Sequence, residues 1–248
     1  MAGRLVYYWP NSTGYGLTRV SKEDTMLKIT EEWRKAFPGA YAGILDMRDV
    51  VNPDHHPGLD ARKRRLEDDL RVRFKEPAEL KLLAPIAAYK AFYKRFKKSY
   101  HVQHQLESVI FKGKSIPKVA ALVEAMFIAE LRNMLLTAGH DRDSIRNEIT
   151  LDVSKGTERY VKINGEEQEL KAGDMMMADA EGVISSVIYG PDRRTMITSK
   201  TRSALFTVYA VQGIGEQEVS RHLEEIADNV KLISPDCRVV ALEVYAAG

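Results

Sequence analysis

Three polar residues interrupt the most apolar helical stretch of the sequence. Residues 117–137 are predicted to form a helix that is apolar almost all round, and at about 100° per residue Glu130, Asn133 and Thr137 share one stripe of it. Burying a lone carboxylate is costly unless it is paired or hydrogen-bonded. The stripe therefore predicts either a structural network around Glu130 or the wall of a polar cavity, and both interpretations stay open.

A histidine beside two carboxylates follows this predicted helix. His140 precedes Asp141 and Asp143, and a histidine near a carboxylate can act as an acid–base pair. The segment also fits a turn in which Asp141 caps a short helix, and this is the interpretation preferred for Asp141. His140 and Glu130 are the two candidates for positioning a catalytic water.

A second polar cluster lies in the loop after a predicted strand at residues 183–189. Tyr189, Asp192 and Arg194 surround a Gly-Pro turn in this loop. Because a guanidinium group can donate to a carbonyl or an anion, these three residues are candidates for binding a substrate. The alternative, an exposed hairpin tip, stays open.

Several kinds of chemistry lack the residues that they require. The chain has no glycine-rich phosphate loop, no paired cysteines for zinc and no Gly-x-Ser-x-Gly nucleophile motif. The pairs His55-His56 and His101/His104 lack the further ligands of a metal site. The sequence therefore predicts neither a metal nor a cofactor. The single cysteine, Cys237, excludes an intrachain disulfide, which fits a reducing compartment.

The net charge of +2 conceals a basic segment. Residues 58–104 carry 13 Lys or Arg against 6 Asp or Glu. Such a segment indicates a polyanionic partner such as tRNA or another RNA, although Lys and Arg also cover ordinary solvent-facing helices. The candidate nucleic-acid contacts are Arg64, Arg65, Lys94, Lys97 and Lys98.

The order of the predicted elements indicates an α+β fold. Leu59, Leu66 and Leu70 share one face of a predicted helix, and further helices follow. Strands dominate from about residue 148, where Asn164-Gly165 predicts a tight hairpin turn. A last amphipathic helix and a strand complete the pattern. Helices first and a sheet later are typical of α+β rather than alternating α/β folds.

The length of 248 residues fits one large domain or two small ones. We expect residues 24–248 to form a single domain and residues 1–23 to be a peripheral extension. No stretch reaches the ~18 apolar residues of a membrane-spanning helix, and the first 20 residues lack the layout of a signal peptide. The sequence predicts a cytoplasmic protein without a membrane partner, and it leaves the oligomeric state open.

An ordered series of motifs runs through the second half of the chain. It comprises Ile163-Asn164-Gly165, Leu170, Asp174 and Asp179, preceded by Asp141-Arg142-Asp143-Ser144-Ile145 and followed by Thr201-Arg202-Ser203-Ala204-Leu205-Phe206. The series resembles the editing domain of the phenylalanyl-tRNA synthetase β chain, over about residues 106–213. The resemblance implies a three-layer β/β/α sandwich, with mixed or antiparallel sheets and the helices packed on one side.

The resemblance also implies translation quality control, in which a second site hydrolyses a wrongly attached amino acid from tRNA. Such a site needs a placed water and oxyanion donors rather than a covalent nucleophile. Here the pocket histidine of the family falls on Ala138, its tyrosine-reading glutamate on Thr207, and its glycine-rich turn on residues 185–190. Tyrosine specificity is therefore not carried over, and a cavity with different lining groups is expected.

Three functions stay open at this point. The first is hydrolysis of an aminoacyl ester, on mischarged tRNA or a related small compound, without ligase activity because the aminoacylation motifs are absent. The second is a non-catalytic tRNA- or RNA-binding module, and the third is a small-ligand binder. In the first, His140 or Glu130 positions water in an enclosed hollow, and the substrate is bound by Asn133, Tyr189, Asp192, Arg194 and Thr207.

Overall fold

The computed structural model describes residues 27–248 and the backbone of Leu5–Val6, so most of the expected extension over residues 1–23 lies outside the described residues. The helices are α1 (Glu31–Ala36), α2 (Pro57–Arg73), α3 (Pro77–Lys81), α4 (Ala84–Lys94), α5 (His101–Phe111), α6 (Ala121–Asn133) and α7 (Glu216–Ile233). The strands are β1 (Leu5–Val6), β2 (Leu27–Ile29), β3 (Tyr41–Arg48), β4 (Thr137–Asp141), β5 (Ile149–Val153), β6 (Arg159–Val161), β7 (Glu167–Glu169), β8 (Met175–Asp179), β9 (Gly182–Ser186), β10 (Gly190–Pro191), β11 (Ser203–Ala210) and β12 (Arg238–Ala246).

Two five-stranded sheets and a hairpin account for these strands. The first sheet is antiparallel, in the order β1-β12-β3-β11-β4, and the second has the order β10-β9-β8-β5-β2. Only the β2–β5 pair of the second sheet is parallel. Strands β6 and β7 form the hairpin predicted at Asn164-Gly165.

The two faces of the first sheet pack against different layers. Gly43 of β3 lies against Val219 and Leu223 of α7, so one face meets helices. On the opposite face, the hydroxyl group of Tyr209 in β11 bonds Ser185 in β9 of the second sheet. All eight residues of β11 are buried because both of its faces are covered. The α+β class and the predicted three-layer order are confirmed.

Helix α6 is shorter than the sequence predicts. It begins at Ala121 rather than near Pro117 and ends at Asn133, where Met134 adopts the left-handed conformation with φ of 60° and donates its amide to the Glu130 carbonyl. Thr137, which was placed on a helical stripe, is instead the first residue of β4. A methionine in place of the glycine usual at this position hides the end of the helix from the sequence.

Every Lys and Arg side chain of α2 to α5 except one is exposed or half-buried. Leu59, Leu66 and Leu70 face the core as predicted. The exception is Lys63, which is buried and whose Nζ lies 2.5 Å from Glu124 Oε1. A search of the described residues finds no helix long and apolar enough to cross a membrane.

Replacing Gly43 by alanine should destabilise the protein by about 1–3 kcal/mol, because the new Cβ has no room between the sheet and α7. That Cβ would lie 2.6 Å from Val219 Cγ1 and 3.0 Å from Leu223 Cδ1. Urea unfolding measures the change. Gly215→Ala is the control, because Gly215 is exposed and the nearest atom to its new Cβ, Oε2 at the end of the Glu218 side chain, is 3.4 Å away. Equal losses in both variants would contradict the close packing.

Candidate functional site

A cavity of about 500 Å³ lies at the edge of the first sheet, beside β4. Most of its wall is apolar, and its polar side chains come from Glu130, Thr137, Ser186, Tyr209, His101 and Gln105. The remaining lining residues are Val119, Ala120, Val123, Met126, Phe127, Leu136, Ala138, Gly139, Ile163, Gly190, Pro191, Met196 and Ile197. An apolar hollow with a few convergent polar groups is typical of a small-ligand site.

Helical spacing explains the wall that α6 provides. Val123, Met126, Phe127 and Glu130 are three or four residues apart, so they project from one face of the helix into the cavity. The wall next to α6 includes Gly139 of β4, where a Cβ would lie 2.9 Å from Ile197 Cδ1 and 3.3 Å from Met126 Sδ. Glycine therefore lets the edge strand approach its neighbours closely.

Glu130 is a buried carboxyl group on the cavity wall. Its exposed fraction is 2%, and Oε1 accepts a hydrogen bond of 3.1 Å from the backbone amide of Thr137. Burial raises the pKa of Glu130 to about 8, although the Thr137 amide opposes the shift. Within residues 27–248 no Lys, Arg or His forms an ion pair with this carboxyl group. Glu130 is therefore mostly protonated at pH 7.

Thr137 is fixed by a chain of hydrogen bonds behind the cavity. Asn133 Nδ2 donates to Glu225 Oε2 at 2.7 Å and to Nδ1 of His222 at 3.2 Å. Because Nδ1 accepts, the proton of the neutral His222 ring is on Nε2, which donates to Thr137 Oγ1 at 2.7 Å. Burial lowers the pKa of His222 to about 3, so the ring stays neutral.

Asn133 does not line the cavity, contrary to the expectation that it shares one hollow with Glu130. It lines a separate depression of about 240 Å³, and its side-chain amide is hydrogen-bonded to Glu225 and His222. Asn133 still belongs to α6, and its position about 60° round the helix from Glu130 turns it towards α7. Its contact with the cavity is indirect, through His222 and Thr137.

His140 is also outside the cavity wall. Thr195 donates its hydroxyl proton to Asp192, so His140 Nδ1 donates to Thr195 Oγ1 at 2.7 Å. The other ring nitrogen, Nε2, is buried without a hydrogen-bond partner among the described residues. Burial, helped by the charge of Arg194, lowers the pKa of His140 to about 4. The expected convergence of His140 and Glu130 on one hollow is therefore wrong, since only Glu130 lines it.

The predicted substrate-binding residues of the loop are held in structural contacts. Arg194 donates to Asp179 Oδ1 at 2.7 Å and to the Ser144 carbonyl at 2.8 Å. Asp192 accepts from the backbone amides of Arg194 and Thr195. Both residues thus stabilise the loop and do not line the cavity, which corrects their expected placement.

The last two candidates lie near the cavity without lining it. Thr207 is fully buried in β11. It lies two residues before Tyr209, so both side chains point to the face that packs on the second sheet. Tyr189 is half-buried and lies in sequence between Ser186 and Gly190, which both line the cavity. Its backbone amide donates to Ser186 Oγ. The Lys98 ammonium lies 5.7 Å from the centroid of the Tyr189 ring. Lys98 thus lies beside a residue whose neighbours in sequence, Ser186 and Gly190, line the cavity.

Sequence reasoning missed four polar residues of the wall: His101, Gln105, Ser186 and Tyr209. His101 was weighed only as a metal ligand, and Gln105 was given no role. Ser186 and Tyr209 are strand residues whose alternation resembles that of ordinary core positions. His101 packs its ring against Tyr100 while keeping an exposed edge. Desolvation on the packed side, and then the nearby His104, lower the pKa of His101. A neutral imidazole at the cavity is the result.

The predicted nucleic-acid contacts are all exposed: Arg64, Arg65, Lys94, Lys97 and Lys98. A depression of about 380 Å³ lies beside the lysines that follow α4, and it is lined by Arg95, Phe96, Lys97, Lys171 and Ala172.

Across residues 27–248, no three His, Cys, Asp or Glu side chains are grouped so that they could hold a metal ion.

Glu130 should make the protein less stable as the pH rises. In the unfolded chain this group ionises near its ordinary value of 4.5, whereas in the folded chain it keeps its proton to about pH 8. Its contribution to stability is therefore complete below pH 4.5 and is lost as the pH rises to about 8. Glu130→Gln stays neutral, so its advantage over the wild type in free energy of unfolding should grow by more than about 1 kcal/mol from pH 5 to pH 8.

Urea unfolding at several pH values measures this difference. Burial also raises the pKa of Asp174, to about 7, so this group adds its own dependence of stability on pH. Asp174 is present in both the wild type and Glu130→Gln, so its effect cancels in the difference between them. The exposed Glu148→Gln is the control and should show a flat difference. A flat difference for Glu130→Gln as well would show that the folded protein does not hold this proton.

Comparison with known proteins agrees with the motif series. The B3/4 domain profile matches residues 87–230. The phenylalanine–tRNA ligase β subunit of Mycoplasma pneumoniae is 32% identical over 69 residues, which are 28% of this chain and 9% of that protein. An N-terminal fragment of the phenylalanyl-tRNA synthetase β subunit of Pyrococcus horikoshii has a TM-score of 0.46 and 12% identity, over 91% of this chain and 52% of the fragment. This chain thus spans about half of that fragment and a small part of the ligase subunit. The resemblance is confirmed: the chain belongs to the B3/4 domain family and is a homologue of a domain of the phenylalanyl-tRNA synthetase β chain.

Proposed function

We propose that the protein hydrolyses aminoacyl esters, with the amino acid in the cavity beside β4 and the nucleotide end over the lysines next to it. The observation that carries this proposal is the apolar cavity of about 500 Å³ with few polar groups, next to Lys98. Membership of the B3/4 family supports an ester on tRNA as the substrate. Such a reaction belongs to the cytoplasm and uses no ATP.

The reaction needs little from the protein beyond placement. A water oxygen adds to the ester carbonyl carbon, the bond between that carbon and the ribose oxygen breaks, and the ribose hydroxyl leaves with a proton. Thr137 and Ser186 offer hydroxyl groups on the cavity wall that can donate to the developing oxyanion. Fixing water and ester together lowers the barrier without a covalent intermediate.

His101 replaces His140 as the candidate base in this proposal. It lines the cavity, it has an exposed edge, and its lowered pKa keeps the ring able to accept a proton at pH 7. His140 Nε2 also has a free lone pair, but the ring is fully buried away from the wall. Glu130, which is protonated at pH 7, serves in binding rather than as the base.

His101→Ala should lower the rate of ester hydrolysis by about 100-fold with little change in KM, since general bases contribute on that scale. The measurement is release of amino acid from a panel of mischarged tRNAs. His104→Ala is the matched control, one turn further along α5 and exposed; it should keep activity within about twofold. No hydrolysis of any pair by the wild type would refute the proposed activity.

Exposed lysines beside the cavity also favour a second candidate, non-catalytic tRNA or RNA binding. In either case Lys97→Glu with Lys98→Glu should weaken tRNA binding by about tenfold or more and flatten its dependence on salt, because fewer counterions are released. The same change should leave hydrolysis of a small aminoacyl ester intact. Arg64→Glu with Arg65→Glu tests the α2 surface in parallel. Salt-dependent binding without hydrolysis favours the second candidate, and binding that does not respond to salt eliminates it.

A further inference from the structure

The cavity wall has an unusual charge content for this chain. The chain contains 37 Lys and Arg residues, yet none of those within residues 27–248 lines the cavity, whereas one carboxyl group, Glu130, does. A ligand carboxylate or phosphate placed inside would lose its hydration and find no cation there. The wall therefore discriminates against anionic groups.

One oxygen of Glu130 is left for a ligand. The hydrogen bond from the Thr137 amide ends on Oε1, and no hydrogen bond from the described part of the chain ends on Oε2. Glu130 is buried with no ion-pair partner among residues 27–248. A buried carboxylate without a cation is unstable, and a cationic ligand would supply what the protein lacks. An ammonium–carboxylate hydrogen bond is about twice as strong as a neutral one.

The surroundings of Glu130 suit an ammonium group. Thr137 Oγ1 accepts from His222 and keeps a second lone pair for another donor. Phe127 and Tyr209 also line the cavity, and aromatic faces attract cations. The apolar remainder of the wall suits the hydrocarbon part of the same ligand.

We infer that the cavity binds the free amino group of its ligand at Glu130, so that it accepts amines with an apolar side chain and no carboxylate. Identifying this amine as the α-ammonium group of an aminoacyl ester rests on the proposed function. In an ester or amide the carboxyl group is masked, whereas the free amino acid carries a carboxylate that the cavity disfavours. The site thus distinguishes substrate from product.

Calorimetric titration at pH 6.5 with three probes tests the inference: L-leucinamide, L-leucine and N-acetyl-L-leucinamide. L-Leucinamide should bind at least about tenfold more tightly than the others, a factor that one charge-assisted contact supplies. Binding should also release a proton, because Glu130 is protonated in the empty cavity and must ionise to pair with the ammonium group. The dependence of the heat on buffer ionisation measures this release.

Glu130→Gln should abolish both the preference and the proton release, whereas Glu148→Gln, on the exposed surface, should keep them. Equal binding of the acetylated amide, binding without proton release, or no binding of L-leucinamide to the wild type overturns the inference. The proposed hydrolysis and the inference about the amine can be refuted independently of each other. Amine binding without hydrolysis removes only the activity, whereas equal cleavage of free and N-acetylated leucyl esters removes only the role of the amine.

Discussion

A buried carboxyl group that joins the end of a helix to the edge of a sheet is the contact on which the site depends. Glu130, in the last turn of α6, accepts the amide of Thr137, the first residue of β4. The left-handed Met134 between them reverses the chain. Without this bond a polar amide and a carboxyl group would both be buried unpaired, at a cost of about 1–3 kcal/mol each. The cavity wall is thus built around a group whose burial is unfavourable when ionised.

Tyrosines of the basic helical segment hold the same junction from the other side. Tyr89 accepts the amide of Leu136 at 3.0 Å and donates to the carbonyl of Tyr209 at 2.6 Å, which ties α4 to β11 and to the start of β4. Tyr100 stacks on Tyr89 with ring centroids 4.4 Å apart and donates to the Met134 carbonyl. These hydroxyl groups satisfy backbone atoms that the turn leaves open. Tyr89 and Tyr100, which lie between the lysines in the sequence, therefore have a structural role.

The sequence predicted the fold better than it predicted the site. Periodicity located α2, α7 and the β6–β7 hairpin, because their apolar faces and turn residues are local signals. Glu130 was also identified, since a carboxylate on a buried helix stands out. Thr137 was wrongly placed on the helix because the helix ends before a methionine, and no local residue type marks a left-handed cap there. His101 was missed because its position at the cavity depends on packing between α5 and α6.

Hydrogen-bonded polar clusters explain why chemically suggestive residues need not share a site. Asp192, Thr195 and His140 form a relay, and Asn133, His222 and Thr137 form another. Each buries polar atoms next to a sheet, where the low dielectric strengthens satisfied bonds and penalises unsatisfied ones. Only the second relay ends at a cavity residue. Because His222 donates to Thr137 Oγ1, the hydroxyl proton of Thr137 points away from His222, and its acceptor is the Leu135 carbonyl at 3.5 Å.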